Sequence, residues 1–334
     1  MLRPGLTRFL LAFLVILFHL SQSIFLGKFA VGCFFILSGY WISLMFEKKY
    51  SLKKQSLKVY YISRAWRLFP VFYSFTIIAL IVYALGNSTY FDRLGHLEIY
   101  EKVKIVFANI FILGYALTKS NILVPAWSLD IEIQFYILFP LLVYILGKNK
   151  KRILLVTLLF FVLALLIFIF DLTKLNLTSM SYIYLFMIGM IIYHYKIHST
   201  IKVEKWSLGI LAGIIAVQYM IPSLKPLYRD TGSQYYSILS FILTIAAIPT
   251  LINSIHKPTN EKDKFLGEMS FMIYLSHWIW LNLYNLLIAE SSKMARIPYI
   301  FGFLFMTFLS AYLVYKFIDR PSEKLRHKWV KLQP

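Results

Sequence analysis

Ten stretches of this chain are long and apolar enough to cross a bilayer, and that pattern leaves little choice of fold. They lie near 8–25, 29–46, 66–86, 127–146, 152–170, 180–195, 206–222, 235–254, 266–289 and 297–318. A spanning helix needs about 20 mostly apolar residues. The run at 180–195 is short, but its neighbours force a crossing there. The expected fold class is therefore all-α, a polytopic membrane protein with about ten transmembrane helices. Composition agrees: 59% of the residues are hydrophobic, against about 45–50% apolar residues in soluble domains.

Charge sets the expected topology. The net charge is +20, which on a soluble protein would raise nucleic-acid binding. Here the basic residues fall between apolar runs and read as topology signals, so no nucleic-acid partner is expected. With a cytoplasmic N-terminus, 24 Lys and Arg residues fall in inside segments and ten outside, Lys316 lying within the last run. That bias follows the positive-inside rule. An eleventh apolar stretch, 103–117, would reverse every later loop if it crossed. It is expected instead as a re-entrant or interfacial helix within an extracytoplasmic segment, 87–126. Both termini are then cytoplasmic. The first run follows Arg3 and Arg8 as in a signal peptide, but no small-x-small cleavage site follows, so a retained helix is expected. A single transmembrane domain, 1–320, is expected to end in a basic cytoplasmic tail, 321–334, along the anionic inner leaflet. The single cysteine, Cys33, reads as a small buried apolar residue, and no metal site is expected.

Ionisable groups at membrane depth are costly and mark function. Of seven histidines, His194, His198, His256 and His327 fall in or at the edge of cytoplasmic segments and His96 in the external one, which leaves His19 and His277 within spans. His19 follows Arg8 by eleven residues, about 16 Å of helix, which puts it near the midplane or slightly outward. His277 falls in the outer half of its run. Glu132 lies a little over one turn into a helix entering from outside at Trp127. Three ionisable groups from three helices thus share a similar depth. A neutral imidazole there can take a proton from a hydroxyl, and a carboxylate can orient it. The simpler alternative is hydrogen bonding between helices. Glu132 shares a helical face with Ser128 and Tyr136, whereas Asp130 points elsewhere and, closer to the interface, is expected to be solvated.

At the cytoplasmic end of the third run, Arg64 and Arg67 are three apart and share a face. Paired guanidiniums suit phosphate groups, of a lipid head group or a nucleotide cofactor. In the second run, Ser38 and Gly39 permit close helix packing, the simpler reading, or passage of a thin chain. Trp127, Asp130 and Tyr136 are the candidates for contact with an outer substrate. Aromatic residues at the outer ends can stack on sugar rings, although an interfacial aromatic belt is the simpler reading.

These residues fall into motifs. Arg8 and His19 match an Arg-x10-His pattern; VGCFFILSGY, ISRAWRLFP, WSLDIEIQFY, GEMSFMIYLSH and YKFIDRPSEK follow in order. Together they resemble acyltransferase family 3, the bacterial integral-membrane O-acyltransferases. The resemblance covers roughly residues 1–325. It implies acyl-CoA in the cytoplasm as donor, most simply acetyl-CoA, and a hydroxyl of a cell-surface or lipid-linked glycan as acceptor, in a multi-pass protein of the bacterial plasma membrane. It further implies catalytic roles for His19, Glu132 and His277, and donor contacts for Arg8, Arg64, Arg67, Ser38 and Gly39. Two features depart from the family. The acidic residue that often precedes the first Arg is missing, so Arg8 needs another partner. The esterase-like domain fused in many members has no counterpart in these 334 residues. The rival class is a transporter or flippase for a saccharide, which would also keep ionisable groups at the midplane but should show symmetric halves and matched helix breaks.

Overall fold

The computed structural model describes residues 2–21, 25–86, 89–147, 149–172, 175, 178–221, 223, 233–288 and 294–334. The charge-count residues Lys148, Lys174, Lys225, Arg229 and Lys293 lie outside the described residues. Helices follow one another as α1 (Pro4–Leu20), α2 (Gly27–Met45), α3 (Ser56–Leu85), α4 (Tyr90–Gly95), α5 (Ile99–Phe111), α6 (Trp127–Leu146) and α7 (Lys150–Ile169). The chain continues through α8 (Ile183–Tyr195), α9 (Ile201–Met220), α10 (Gln234–Ala246), α11 (Ile248–Ile255), α12 (Glu261–Leu287), α13 (Arg296–Val314) and α14 (Arg320–Leu332). Among the described residues there is no strand. A helix or bent helix pair stands at each of the ten apolar runs. Among the described residues, five helical stretches are long and apolar enough to cross a membrane, and α10 with α11 makes a sixth if the bent pair is one span. That pair bends by 43° at Ala247, where Pro249 follows and withholds its N–H from the helical ladder.

Helix ends differ from the apolar runs in two informative places. The helix α1 stops at Leu20 rather than near 25, so His19 sits in its last turn and not inside a longer span. At the other extreme, α3 begins at Ser56, ten residues before its apolar run, and carries Arg64 and Arg67 within the helix. The stretch expected at 103–117 is α5, shifted to Ile99–Phe111 and about 20 Å long, too short to cross about 30 Å of hydrocarbon. Its Val103, Val106, Phe107 and Ile110 are exposed while Ile105 and Ala108 are buried.

Contacts group the helices into two compact units, interleaved along the chain: Met1–Ser43, Lys150–Thr157 and Tyr184–Phe271 in the first, Leu44–Asn149, Leu158–Ile183 and Met272–Pro334 in the second. In the first unit α2 and α8 cross backbone to backbone. A Cβ on Gly39 would lie 1.9 Å from the Phe186 carbonyl oxygen, and one on Gly189 would lie 2.1 Å from that of Ile36. In the second unit α14 packs on α3, Trp329 against Trp66 at 6.1 Å between rings. The tail is thus docked on its own unit, with Lys324, Leu325, Lys328, Lys331 and Leu332 exposed on its outer side.

Candidate functional site

In the second unit one residue of the sequence reading, Arg64, joins Arg326 in a buried basic cluster. Arg64 is only 8% exposed. Its Nη2 donates to the Tyr50 hydroxyl at 2.6 Å, and its guanidinium lies over the Tyr50 and Tyr136 rings at 5.4 and 5.7 Å. The Tyr50 hydroxyl shares a 2.9 Å hydrogen bond with Ser63. On the far side of Ser63, Arg326 donates through Nη1 to the Ser63 hydroxyl at 3.3 Å, and it pairs with Glu323 on its own helix. Of these two neighbouring guanidiniums only that of Arg326 has a carboxylate. Among the described residues no carboxylate pairs with Arg64, and the Nε atoms of Arg64 and Arg326 have no hydrogen-bond partner. A buried cation normally has an anion or a full set of acceptors. Arg67 stays exposed one turn further along α3.

Local structure explains the cluster. Phe46–Tyr50 is one turn of π-helix closing α2; such a turn inserts a residue and re-aims the side chains beyond it, and here it brings Tyr50 fully into the core. The C-terminal residues tie down the same region: Lys53 donates to the Gln333 carbonyl at 2.7 Å, and the Lys54 N–H to that of Pro334 at 2.9 Å. Tyr50, Ser63, Glu323 and Arg326 were not singled out from sequence. The one available signal was the i, i+3, i+4 spacing of Glu323, Arg326 and His327.

Further into the same unit, Tyr136 links this cluster to Glu132. Its ring faces Arg64 and its hydroxyl donates to the Glu132 carboxylate. The shared face of Ser128, Glu132 and Tyr136 is as expected from helical spacing. Ser128 in turn bonds the Tyr274 hydroxyl at 2.8 Å, and the Tyr274 ring lies 6.2 Å from that of His277. His277 is fully buried, its Nδ1 3.2 Å from the Ile273 carbonyl oxygen. Trp127 is half-buried, its ring 5.9 Å from that of Tyr182.

Asp130 corrects the sequence reading. It is 0% exposed, not solvated. Its carboxylate accepts from the backbone N–H of Gly114 at 3.1 Å and of Ala116 at 3.0 Å, and from the Gln134 amide at 2.8 Å. The turn it holds is left-handed at Ile112 and Gly114, with φ of 53° and 68°. Asp130 thereby fastens the end of α5 to α6, a role that occupies both its oxygens and leaves it poorly placed to meet a substrate.

In the first unit, α1 carries Arg8 and His19. Asp263, at the start of α12, caps α1 by accepting from the Gly5 N–H at 3.1 Å and the Leu6 N–H at 2.9 Å. A carboxylate there also suits the helix dipole. Arg8 lies over the Trp41 ring at 5.3 Å. His19 is half-buried and meets Phe18 edge-on at 4.8 Å. Gly39 is filled by the α8 backbone, so the packing reading holds there and no thin chain passes at that position; Ser38, next to it, is half-buried. Among the described residues no group of three or more His, Cys, Asp or Glu is placed to hold a metal ion.

An all-helical protein with membrane-crossing helices and a buried basic cluster is the class this arrangement defines. The family model for an acyltransferase domain matches residues 4–316, and the chain belongs to acyltransferase family 3. It is similar to "Putative O-acetyltransferase SACOL0978" of Staphylococcus aureus strain COL, 26% identical over 96% of this chain and 57% of that protein. It is also similar to the O-acetyltransferase OatA of S. aureus strain NCTC 8325, 26% identical over 93% of this chain and 55% of the relative. An uncharacterized Haemophilus influenzae protein aligns at 26% identity over 36% of this chain and 51% of its own length. The chain thus spans little more than half the length of these curated relatives. No solved structure matches.

Proposed function

We propose that this protein moves an acyl group, most simply acetyl, from acyl-CoA to a hydroxyl of a cell-surface or lipid-linked glycan, as a multi-pass protein of the bacterial plasma membrane with ten spans and both termini cytoplasmic. The observation that carries the donor side is the buried Arg64 guanidinium without a carboxylate. The phosphates of CoA would supply the missing anion, with Arg326 adjoining and Arg67 at the exposed rim. In the reaction, a base takes the proton of the acceptor hydroxyl, the oxygen attacks the thioester carbonyl, and the CoA thiolate leaves and takes up the proton. His19 is assigned the base by its place in the Arg-x10-His pattern, with Arg8 holding its helix. Glu132, held by Tyr136, is given a part in the acid–base chemistry by the motif it sits in. His277 is the alternative base.

The transporter reading is favoured by one feature, the 43° break between α10 and α11. Matched breaks in two halves are what that class requires, and among the described residues no second bent pair accompanies it.

Equilibrium binding of acetyl-CoA to the purified full chain tests the donor site. Arg64→Ala should weaken binding about 10- to 100-fold, the equivalent of the 1.5–3 kcal/mol typical of a charge-assisted hydrogen bond. Unchanged affinity in Arg64→Ala would remove the cluster from the donor site.

A further inference from the structure

The opposite end of α3 carries a second, differently built site. A cleft of about 190 Å³ opens in the second unit, lined by Tyr83, Tyr90, Arg93, Lys119, Trp278 and Asn282 among others. Tyr83 follows Arg64 on the same helix by nineteen residues, about 28 Å at 1.5 Å per residue. That is close to the hydrocarbon thickness of about 30 Å. Cluster and cleft therefore stand about one bilayer apart along a single helix.

The lining has the chemistry of sugar recognition with a positive rim. Half-buried Trp278 supplies a flat apolar face of the kind that covers sugar C–H surfaces, while Tyr83 and Tyr90 are buried and form the packed wall behind it. The Asn282 amide donates to the Tyr83 hydroxyl and to the Trp278 carbonyl, each at 2.9 Å. Both its N–H groups are thus used, which fixes its orientation and leaves the Oδ1 as an acceptor for a ligand hydroxyl. Tyr83 is itself held by donating to the Ile122 carbonyl at 3.0 Å. Arg93 is exposed, and among the described residues its side chain makes one long hydrogen bond, to the Thr89 carbonyl at 3.4 Å, and no ion pair. Lys119 shares the single Glu101 carboxylate with Lys104, at 3.4 and 3.3 Å. The rim therefore has more positive charge than its own carboxylate neutralises. The volume lies below the roughly 300–1,000 Å³ typical of drug-sized ligands, and suits one sugar residue rather than a long stretch of chain.

We infer that this cleft is the acceptor subsite and that it selects a sugar residue bearing an anionic substituent, a carboxylate or a phosphate, held by Arg93 and Lys119 while its ring lies against Trp278. The inference deepens the acyltransferase reading and rests on it for the word acceptor; the binding it predicts does not depend on catalysis.

Saturation-transfer NMR on the solubilised full chain, with glucuronate, glucose 6-phosphate and glucose as probes at low salt, tests it. At least one acidic probe should bind about tenfold more tightly than glucose, as one charge-assisted contact predicts, and which one does so identifies carboxylate or phosphate. Arg93→Gln and Lys119→Gln should each reduce that preference and leave glucose binding unchanged; both residues are exposed, so the fold should tolerate the changes. Trp278→Phe should keep the preference. Equal binding of all three probes by the wild type, or a preference that survives the double Arg93→Gln, Lys119→Gln variant, would overturn the inference. Acetyl-CoA binding by the wild type separates the two readings: no acidic-sugar preference in the wild type with donor binding intact sinks this inference alone, and acidic-sugar binding without donor binding sinks the acyltransferase reading alone.

Discussion

The residues that matter here were legible from sequence to different degrees, and the differences have physical causes. Arg64 and its partner face were visible because two arginines three apart on a helix at a membrane mouth have few other uses. Tyr50 and Arg326 were not, because they reach Ser63 from positions 13 and 263 residues away in the chain. No local pattern encodes such a meeting. The expected loss is graded: Arg326→Ala should weaken acetyl-CoA binding less than Arg64→Ala, because Arg326 is already partly neutralised by Glu323. Titration of both variants checks the order, and an Arg326→Ala loss exceeding that of Arg64→Ala would put the phosphates elsewhere. Asp130 was misread because short-range reasoning sees its depth and not its cap. Asp130→Ala strands two backbone N–H groups and an amide, each costing about 1–3 kcal/mol when left buried and unpaired. A marked drop in the thermal midpoint is expected, with acetyl-CoA affinity retained by the folded fraction. An unchanged midpoint would mean that the carboxylate is not holding the turn.

At the scale of elements, the periodic apolar runs located the helices well and their ends poorly. The extra turns of α3 are amphipathic rather than apolar, so hydropathy stopped at the lipid while the helix went on. The end of α1 at Leu20 moves His19 to a helix terminus, beside the last unsatisfied carbonyls, a placement that hydropathy through residue 25 concealed. Gly39 shows how an ambiguity is resolved by packing. Gly39→Ala would push a methyl group into the Phe186 backbone, and overpacking of this kind costs about 1–3 kcal/mol. Ser38→Ala on the same helix should cost far less. Thermal unfolding of the two variants distinguishes a tight helix crossing from open space; equal midpoints would argue against the crossing.

At the scale of the molecule, family membership and a helical membrane architecture are firm, and sidedness is the claim most open to test. The 13 residues of α5 should not cross, so its two flanks should share one side. Cys33 is the single cysteine and is buried, which leaves a quiet background for impermeant thiol labelling. Glu98→Cys and Lys119→Cys should both label from the outer face; opposite faces would reverse every later loop. The chain's division into two units sorts the candidates: His19 and Arg8 lie in the first, the basic cluster, Glu132, His277 and the polar cleft in the second. The most direct test of the whole account is transfer of labelled acetyl from acetyl-CoA into surface glycan, in membranes holding equal amounts of wild-type, His19→Ala and Arg64→Ala protein. The account predicts transfer by the wild type, loss of it in His19→Ala at any donor concentration, and recovery of part of it in Arg64→Ala when acetyl-CoA is raised. Full transfer by His19→Ala and Arg64→Ala, or none by the wild type, would contradict it.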